Sequence, residues 1–382
     1  MTRFDARVAA VEFCGDVTLQ YPGNRPRQLQ PLVLFERKPM KLQLLSLDSA
    51  PIVSPTHPDS RGNKFGYEGG TAHKVGDRYY IFTTEVLDEP KQSAVRIACW
   101  SSDDGLAFAR ESVIVKSNGD WTDDRTYRMA TWSPMVAFDS TTDCWHLIYV
   151  GYRLKPGSKQ IYNMSGRMMQ MQSTVLGRDG ISGPYEELGW VDLVGEPDPW
   201  EGPAEVCSFF PFPVADGWRA FYGSNTAPEF IDPQSLPQHN NTVVETKFWV
   251  GLAAADSIVG PWKRQTESNP VLMDPEFIEN PIVTRMEEGG YVAVYDGGNT
   301  TAISYSTSSD GMHWNAEQLL ELGEVPAWLN ATRTPLGLIS EGDGVYTMYF
   351  TAYDGVNPDG IEPLWHDGFG YIGRLQVRIV AE

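Results

Sequence analysis

Apolar and polar residues alternate along most of this chain, and glycine, proline or aspartate interrupts the alternation after about five to eight residues, a pattern of short strands. Helical periodicity is almost absent. Residues 79–83, 145–150, 218–222, 291–295 and 345–350 are runs of aromatic and β-branched types that predict central strands. Each follows a turn signal: Gly76-Asp77, Thr142-Asp143, Asp216-Gly217, Gly289-Gly290 and Asp343-Gly344. A short apolar run with a Gly- or Pro-containing start precedes each turn, beginning at Glu68, Trp132, Glu205, Glu279 and Arg333. After most hairpins a third strand closes on a further turn. The clearest are residues 98–105, 251–262 and 304–314, with 180–185 a weaker copy.

Such a hairpin-plus-strand unit recurs at a spacing of roughly 55 to 75 residues, and one copy cannot cover both faces of its own sheet. Three to four strands per copy without helices predict an all-β, five-bladed β-propeller. The blades are expected at 66–118, 126–190, 200–268, 277–322 and 330–382, so that residues 61–382 form the propeller domain. Residues 1–60, with strand-like 32–35 and 42–45, form an N-terminal extension that supplies an outer strand, closes the ring or covers an edge. Two β-sandwich domains would not account for the fivefold recurrence.

Composition narrows the function. The 382 residues carry 50 Asp plus Glu against 30 Lys plus Arg, a formal charge of −20, which repels phosphate backbones and anionic membranes. Nucleic acid and membrane are therefore not expected as partners. No apolar run approaches the roughly 20 residues of a membrane span, and the charged residues Arg3, Asp5 and Arg7 do not fit a secretory leader. A cytoplasmic location is expected. Cys14, Cys99, Cys144 and Cys207 are scattered, without the pairing of a zinc cage or a disulfide framework.

In a propeller the first strand of each blade lines the axis, so the five leading positions Glu68, Trp132, Glu205, Glu279 and Arg333 converge on one end of the funnel. Converging carboxylates raise one another's pKa. A protonated carboxyl beside an ionised one is what cleavage of a glycosidic bond requires. Trp132 offers a face to a sugar ring or is a wedge in the core, and Arg333 offers a grip on hydroxyls or a carboxylate. No Gly-rich phosphate cradle is present, and neither cofactor nor metal is called for.

These residues resemble the five-bladed β-propeller glycoside hydrolases, the invertase-like fructosidases and the arabinanase and xylosidase enzymes. Residues 205–211 are similar to the fructosidase stretch E-C-P-D-F-F-P, which implies Glu205 as acid/base. Residues 68–82 are similar to the first-blade stretch D-P-N-G followed by G-K-Y-H-L-F, which implies Glu68 as base or nucleophile. The Ser-x-Asp-Gly-x-x-Trp strand from Ser308 to Trp314 is also common in these families. The chain departs from the pattern in having Glu for Asp at 68 and Trp132-Ser133-Pro134 where fructosidases have R-D-P. Glu279 then takes the third, pKa-tuning role, or is a structural partner of Arg333 or Arg128. Glu201-Gly202-Pro203 looks like the E-G-P of the arabinanase type, so Glu201 competes with Glu205 for the acid.

Around this centre, Asp296 caps a turn or binds a substrate hydroxyl, Arg128 is a loop contact, and His366 is a structural histidine, a substrate contact or a ligand to a central ion. The expected function is hydrolysis of an oligosaccharide or other glycoside. A phosphorylase using inorganic phosphate, with Arg333 and Arg128 as its anion site, and a non-catalytic carbohydrate-binding propeller are the alternatives.

Overall fold

The computed structural model describes residues 40–88, 94–120, 122–123, 125–152, 166–198, 200–201, 206–225, 248–271, 273, 277–299, 301–356 and 368–381. Among them the regular structure is β-strand with a few short 3-10 turns, and no helix is long and apolar enough to cross a membrane.

The chain enters through β1 (Met40–Leu47) and then builds five four-stranded antiparallel units. The first is β2 (Gly66–Val75), β3 (Arg78–Asp88), β4 (Ala94–Ser102) and β5 (Ala109–Lys116). The second is β6 (Ala130–Asp139), β7 (Cys144–Tyr152), β8 (Arg167–Ser173) and β9 (Tyr185–Trp190). After the short β10 (Leu193–Val194) comes the third, β11 (Val206–Val214), β12 (Gly217–Asn225), β13 (Phe248–Ala255) and β14 (Trp262–Arg264), with β10 parallel to β14. The fourth is β15 (Glu279–Arg285), β16 (Tyr291–Asp296), β17 (Ala302–Ser308) and β18 (Gln318–Glu321). The fifth is β19 (Ala331–Gly342), β20 (Val345–Tyr353), β21 (Gly370–Ala381) and, antiparallel on the outer side of β21, β1. A parallel pair, Gly66 with Gly370, links the last unit to the first.

All five hairpins form at their turn signals. Asp343 and Gly344 span the two-residue loop between Gly342 and Val345 with φ of 53° and 70°, the left-handed pair that matches the twist of a tight hairpin. Leu42 to Leu45 lie in β1, while residues 32–35 fall outside the described residues. In the second unit the third strand is Arg167–Ser173, a run absent from the sequence expectation. Residues 178–182, expected to belong to a strand copy, instead make a 3-10 turn leading into β9. The reason is compositional: Arg167-Met168-Met169-Gln170-Met171-Gln172 has no β-branched residue, yet its methionines fill the space beside Tyr149 and Leu147.

Middle strands are buried on both faces, as β7 is along its whole length. This follows from units packing face to face: one core cluster joins Phe82, Ile97 and Tyr80 of the first unit to Trp145, Leu147 and Met169 of the second. Another joins Tyr67, Ile81 and Trp100 of the first to Leu336, Tyr349 and Ile372 of the fifth. The innermost strands β2, β6, β11, β15 and β19 together line one axial cavity of about 280 Å³.

Candidate active site

At its leading end each innermost strand slips register against its partner: between Glu68 and Gly70, Trp132 and Met135, Val206 and Ser208, Glu279 and Ile282, and Thr332 and Pro335. A bulge bends the strand and re-aims the side chain beside it. Three of these bulges hold a left-handed residue, Gly69 at φ 61°, Ser133 at 47° and Asn280 at 54°. At Gly70 only glycine fits, because a Cβ there would lie 1.7 Å from the carbonyl oxygen of Phe82. Neighbouring bulges touch. The Ser133 N–H donates to Thr84 Oγ1 at 3.2 Å, and the Asn280 amide to Thr334 Oγ1 at 3.4 Å.

Three of the expected leading residues meet here, and a fourth that was expected to bind a hydroxyl joins them. Arg333 Nη1 lies 2.5 Å from Glu279 Oε2 and also contacts Asp296 Oδ2, while Nη2 lies 3.2 Å from Glu68 Oε1. Glu68 is 7% exposed, and Glu279, Asp296 and Arg333 are largely buried. The guanidinium, a planar fork, suits such shared recognition. Burial alone would lower the pKa of Arg333, but Glu279, Asp296 and Glu68 hold it well above its ordinary value. The Glu279 carboxyl moves up: burial outweighs the pull of Arg333, helped by Asp296 and Glu68. Asp296 also caps its turn, as one reading of its position expected, Oδ1 accepting from the Gly298 N–H at 3.1 Å.

The other expected residues are not among these four. Trp132 is 8% exposed and belongs to the largest core cluster. Arg128 donates to the Tyr149 hydroxyl at 3.2 Å and pairs with Glu187, both in the second unit. Glu201 is held through both oxygens by Arg264, at 2.8 and 2.9 Å, and accepts from the Tyr222 hydroxyl at 3.1 Å. Glu205 and His366 lie outside the described residues, Glu205 immediately ahead of β11. Among the described residues no group of three or more His, Cys, Asp or Glu side chains is arranged to hold a metal ion; the local positive charge is Arg333.

Sequence reasoning missed Tyr353, the last residue of β20, whose phenol donates to the Glu68 carboxylate. Its signal was its place at a strand end. Asp354 accepts from the Tyr371 hydroxyl and the Val356 N–H, each at 2.9 Å, and so serves its own turn. Also missed was Glu85, fully buried next to this end of β3 and paired with Arg96 at 2.5 Å and Arg110 at 2.8 Å.

No protein-family profile and no curated protein matches the sequence. Solved structures do. The chain is similar to BT0996, solved as a complex with RGII, with 14% identity, a TM-score of 0.61 and coverage of 89% of this chain and 92% of that one. It is similar to Zg3597, a family 117 glycoside hydrolase produced by the marine bacterium Zobellia galactanivorans, with 14% identity, a TM-score of 0.55 and coverage of 90% and 91%. A GH43_1 enzyme from Xanthomonas citri follows at 15% identity, a TM-score of 0.51 and coverage of 86% and 90%. What the chain shares with them is the fold, the all-β architecture of the β-propeller glycoside hydrolases whose motifs its sequence resembles.

Proposed function

We propose that the chain is a glycoside hydrolase on a five-bladed β-propeller, each four-stranded unit being one blade and β1 completing the fifth. The observation that carries this is the meeting of Glu68, Glu279 and Asp296 on Arg333 at one end of the strands that line the axis. The likeness to a family 117 glycoside hydrolase, and to a GH43_1 enzyme complexed with xylotriose (15% identity, TM-score 0.52), supports an oligosaccharide or other glycoside as substrate.

In this mechanism Glu205, the residue before β11 in the sequence, protonates the leaving-group oxygen as the glycosidic bond breaks. Glu68 takes the opposite side, either removing a proton from the attacking water or attacking the anomeric carbon itself. Glu279 is engaged by Arg333 and acts through its charge, keeping the acid protonated. Arg333 holds the carboxylates apart in fixed geometry. Hydrolysis is favoured over phosphorolysis because the Arg333 guanidinium is already claimed by three carboxylates, which would repel an incoming phosphate.

The test is turnover of a panel of aryl pyranosides and furanosides, in both anomers and with and without phosphate. Glu205→Gln should cost about 10²–10⁴-fold on substrates with basic leaving groups and far less on dinitrophenyl glycosides, which leave without a proton. Glu68→Gln should abolish turnover of both. Silence of the wild type across the panel combined with oligosaccharide binding would leave a binding propeller; strict phosphate dependence would make it a phosphorylase.

A further inference from the structure

Glu68 is gripped from across the seam that joins the last unit to the first. β2 and β21 meet there through Gly66 and Gly370, and neither position has room for a side chain. A Cβ on Gly66 would lie 2.3 Å from the Gly370 backbone, and one on Gly370 would lie 2.2 Å from the Tyr67 carbonyl oxygen. Gly370 is the register partner of Tyr353 on β20, and Glu68 stands two residues beyond Gly66 on β2. The close approach of the two glycines thus carries the Tyr353 ring to the Glu68 carboxylate.

Among the described residues, Arg333 of β19 pairs with Glu68, and Glu279 of β15 and Tyr353 of β20 feel its charge. Arg333 is shared with the two other carboxylates, so its charge does not single out Glu68. Among the described residues Glu68 is the carboxylate that acts most strongly on the Tyr353 phenol, which has one proton to give. Burial, with the neighbouring Glu68 charge, pushes the Tyr353 pKa well above its ordinary value, so the hydroxyl remains a donor at any working pH.

We propose that Tyr353 is a positioning residue for the reaction, its phenol fixing the Glu68 carboxylate against Arg333 in the orientation that a base or nucleophile needs. The assignment rests on the role given to Glu68 above. A carboxylate among carboxylates tends to take up a proton, and a hydrogen bond donated to its charged form opposes that tendency.

Tyr353→Phe keeps the ring and removes the donor. We expect kcat to fall about tenfold with KM within about twofold, and the acid limb of the kcat/KM profile to move up by about one pH unit. Tyr353→4-aminophenylalanine, which restores a donor, should bring the limb back toward wild type. Titration of the Glu68 carboxyl by carbon-13 NMR, assigned with Glu68→Gln, should show the same upward shift without reference to turnover. An unchanged limb and an unchanged Glu68 titration in folded Tyr353→Phe overturn the proposal. Should that variant not fold, the 4-aminophenylalanine variant, a weaker donor, must show a smaller shift of the same sign, and no shift overturns it. If Glu68→Gln retains wild-type turnover, the role of Glu68 falls and this proposal with it. If Glu68→Gln is inactive while Tyr353→Phe keeps the wild-type profile, only the role of Tyr353 falls.

Discussion

Arg333 and Glu279 form an ion pair at 2.5 Å between two neighbouring innermost strands, and the same guanidinium reaches Glu68 on a third. One cation is therefore shared among carboxylates from two remote hairpins, in a place where an unpaired charge would be costly.

Removal of that cation should be felt by the whole fold. Arg333→Met leaves Glu68, Glu279 and Asp296 facing one another, and the expected loss is about 3–5 kcal/mol. Urea unfolding measures it. Arg333→Lys keeps the charge without the fork and should fall between. A Met variant as stable as wild type would mean that the carboxylates are not held by this residue.

Two glycines of the first hairpin should respond very differently to alanine. At Gly70 a Cβ meets the Phe82 carbonyl, so β2 has to move, costing about 3 kcal/mol and displacing Glu68. Gly76, at φ 58° with nothing within 4 Å of its Cβ, should lose only about 1 kcal/mol through backbone strain. Turnover measured below the unfolding transition should drop in Gly70→Ala and persist in Gly76→Ala.

Glu201 is buried and bound at both oxygens by Arg264. If it is a structural partner, Glu201→Gln lowers the melting temperature while leaving kcat within about fivefold at temperatures where the protein is folded. A stable Glu201→Gln protein without activity would transfer the acid role from Glu205 to Glu201.

His73 ties the axial cavity to pH. Burial lowers its pKa from the ordinary 6.5 to about 4, and its Nε2 is buried without a hydrogen-bond partner among the described residues. Below pH 6.5 the unfolded chain binds a proton that the folded chain refuses until about pH 4. Stability is therefore lost as pH falls through that window, by about 2–3 kcal/mol. His146, also pushed down by burial, acts in the same direction. Denaturant midpoints between pH 6.5 and 4.5 should fall less steeply in His73→Gln than in wild type. Parallel slopes would show that His73 does not contribute.

Strand content, hairpin positions and the fivefold unit were legible because they are written locally. Alternation sets which face of a strand is apolar, and Gly, Asp and Asn next to it supply the left-handed turn. Even the leading positions Glu68, Glu279 and Arg333 could be read, because each stands before the same hairpin in its own unit. The β8 strand was hidden because its methionines are strand-forming only against the core that receives them.

What local pattern could not reveal was which charges face which. Glu201 and Glu205 are equivalent as text, yet Glu201 is closed in by Arg264, a partner far along the chain. Tyr353 ends an ordinary strand, and it meets Glu68 only because Gly66 and Gly370 allow the last unit to press against the first. Hydrophobic periodicity acts between residues a few positions apart and so is set by order along the chain. Ion pairing, burial and the pKa of a carboxylate depend on distances of a few ångströms between remote segments, and packing alone sets those.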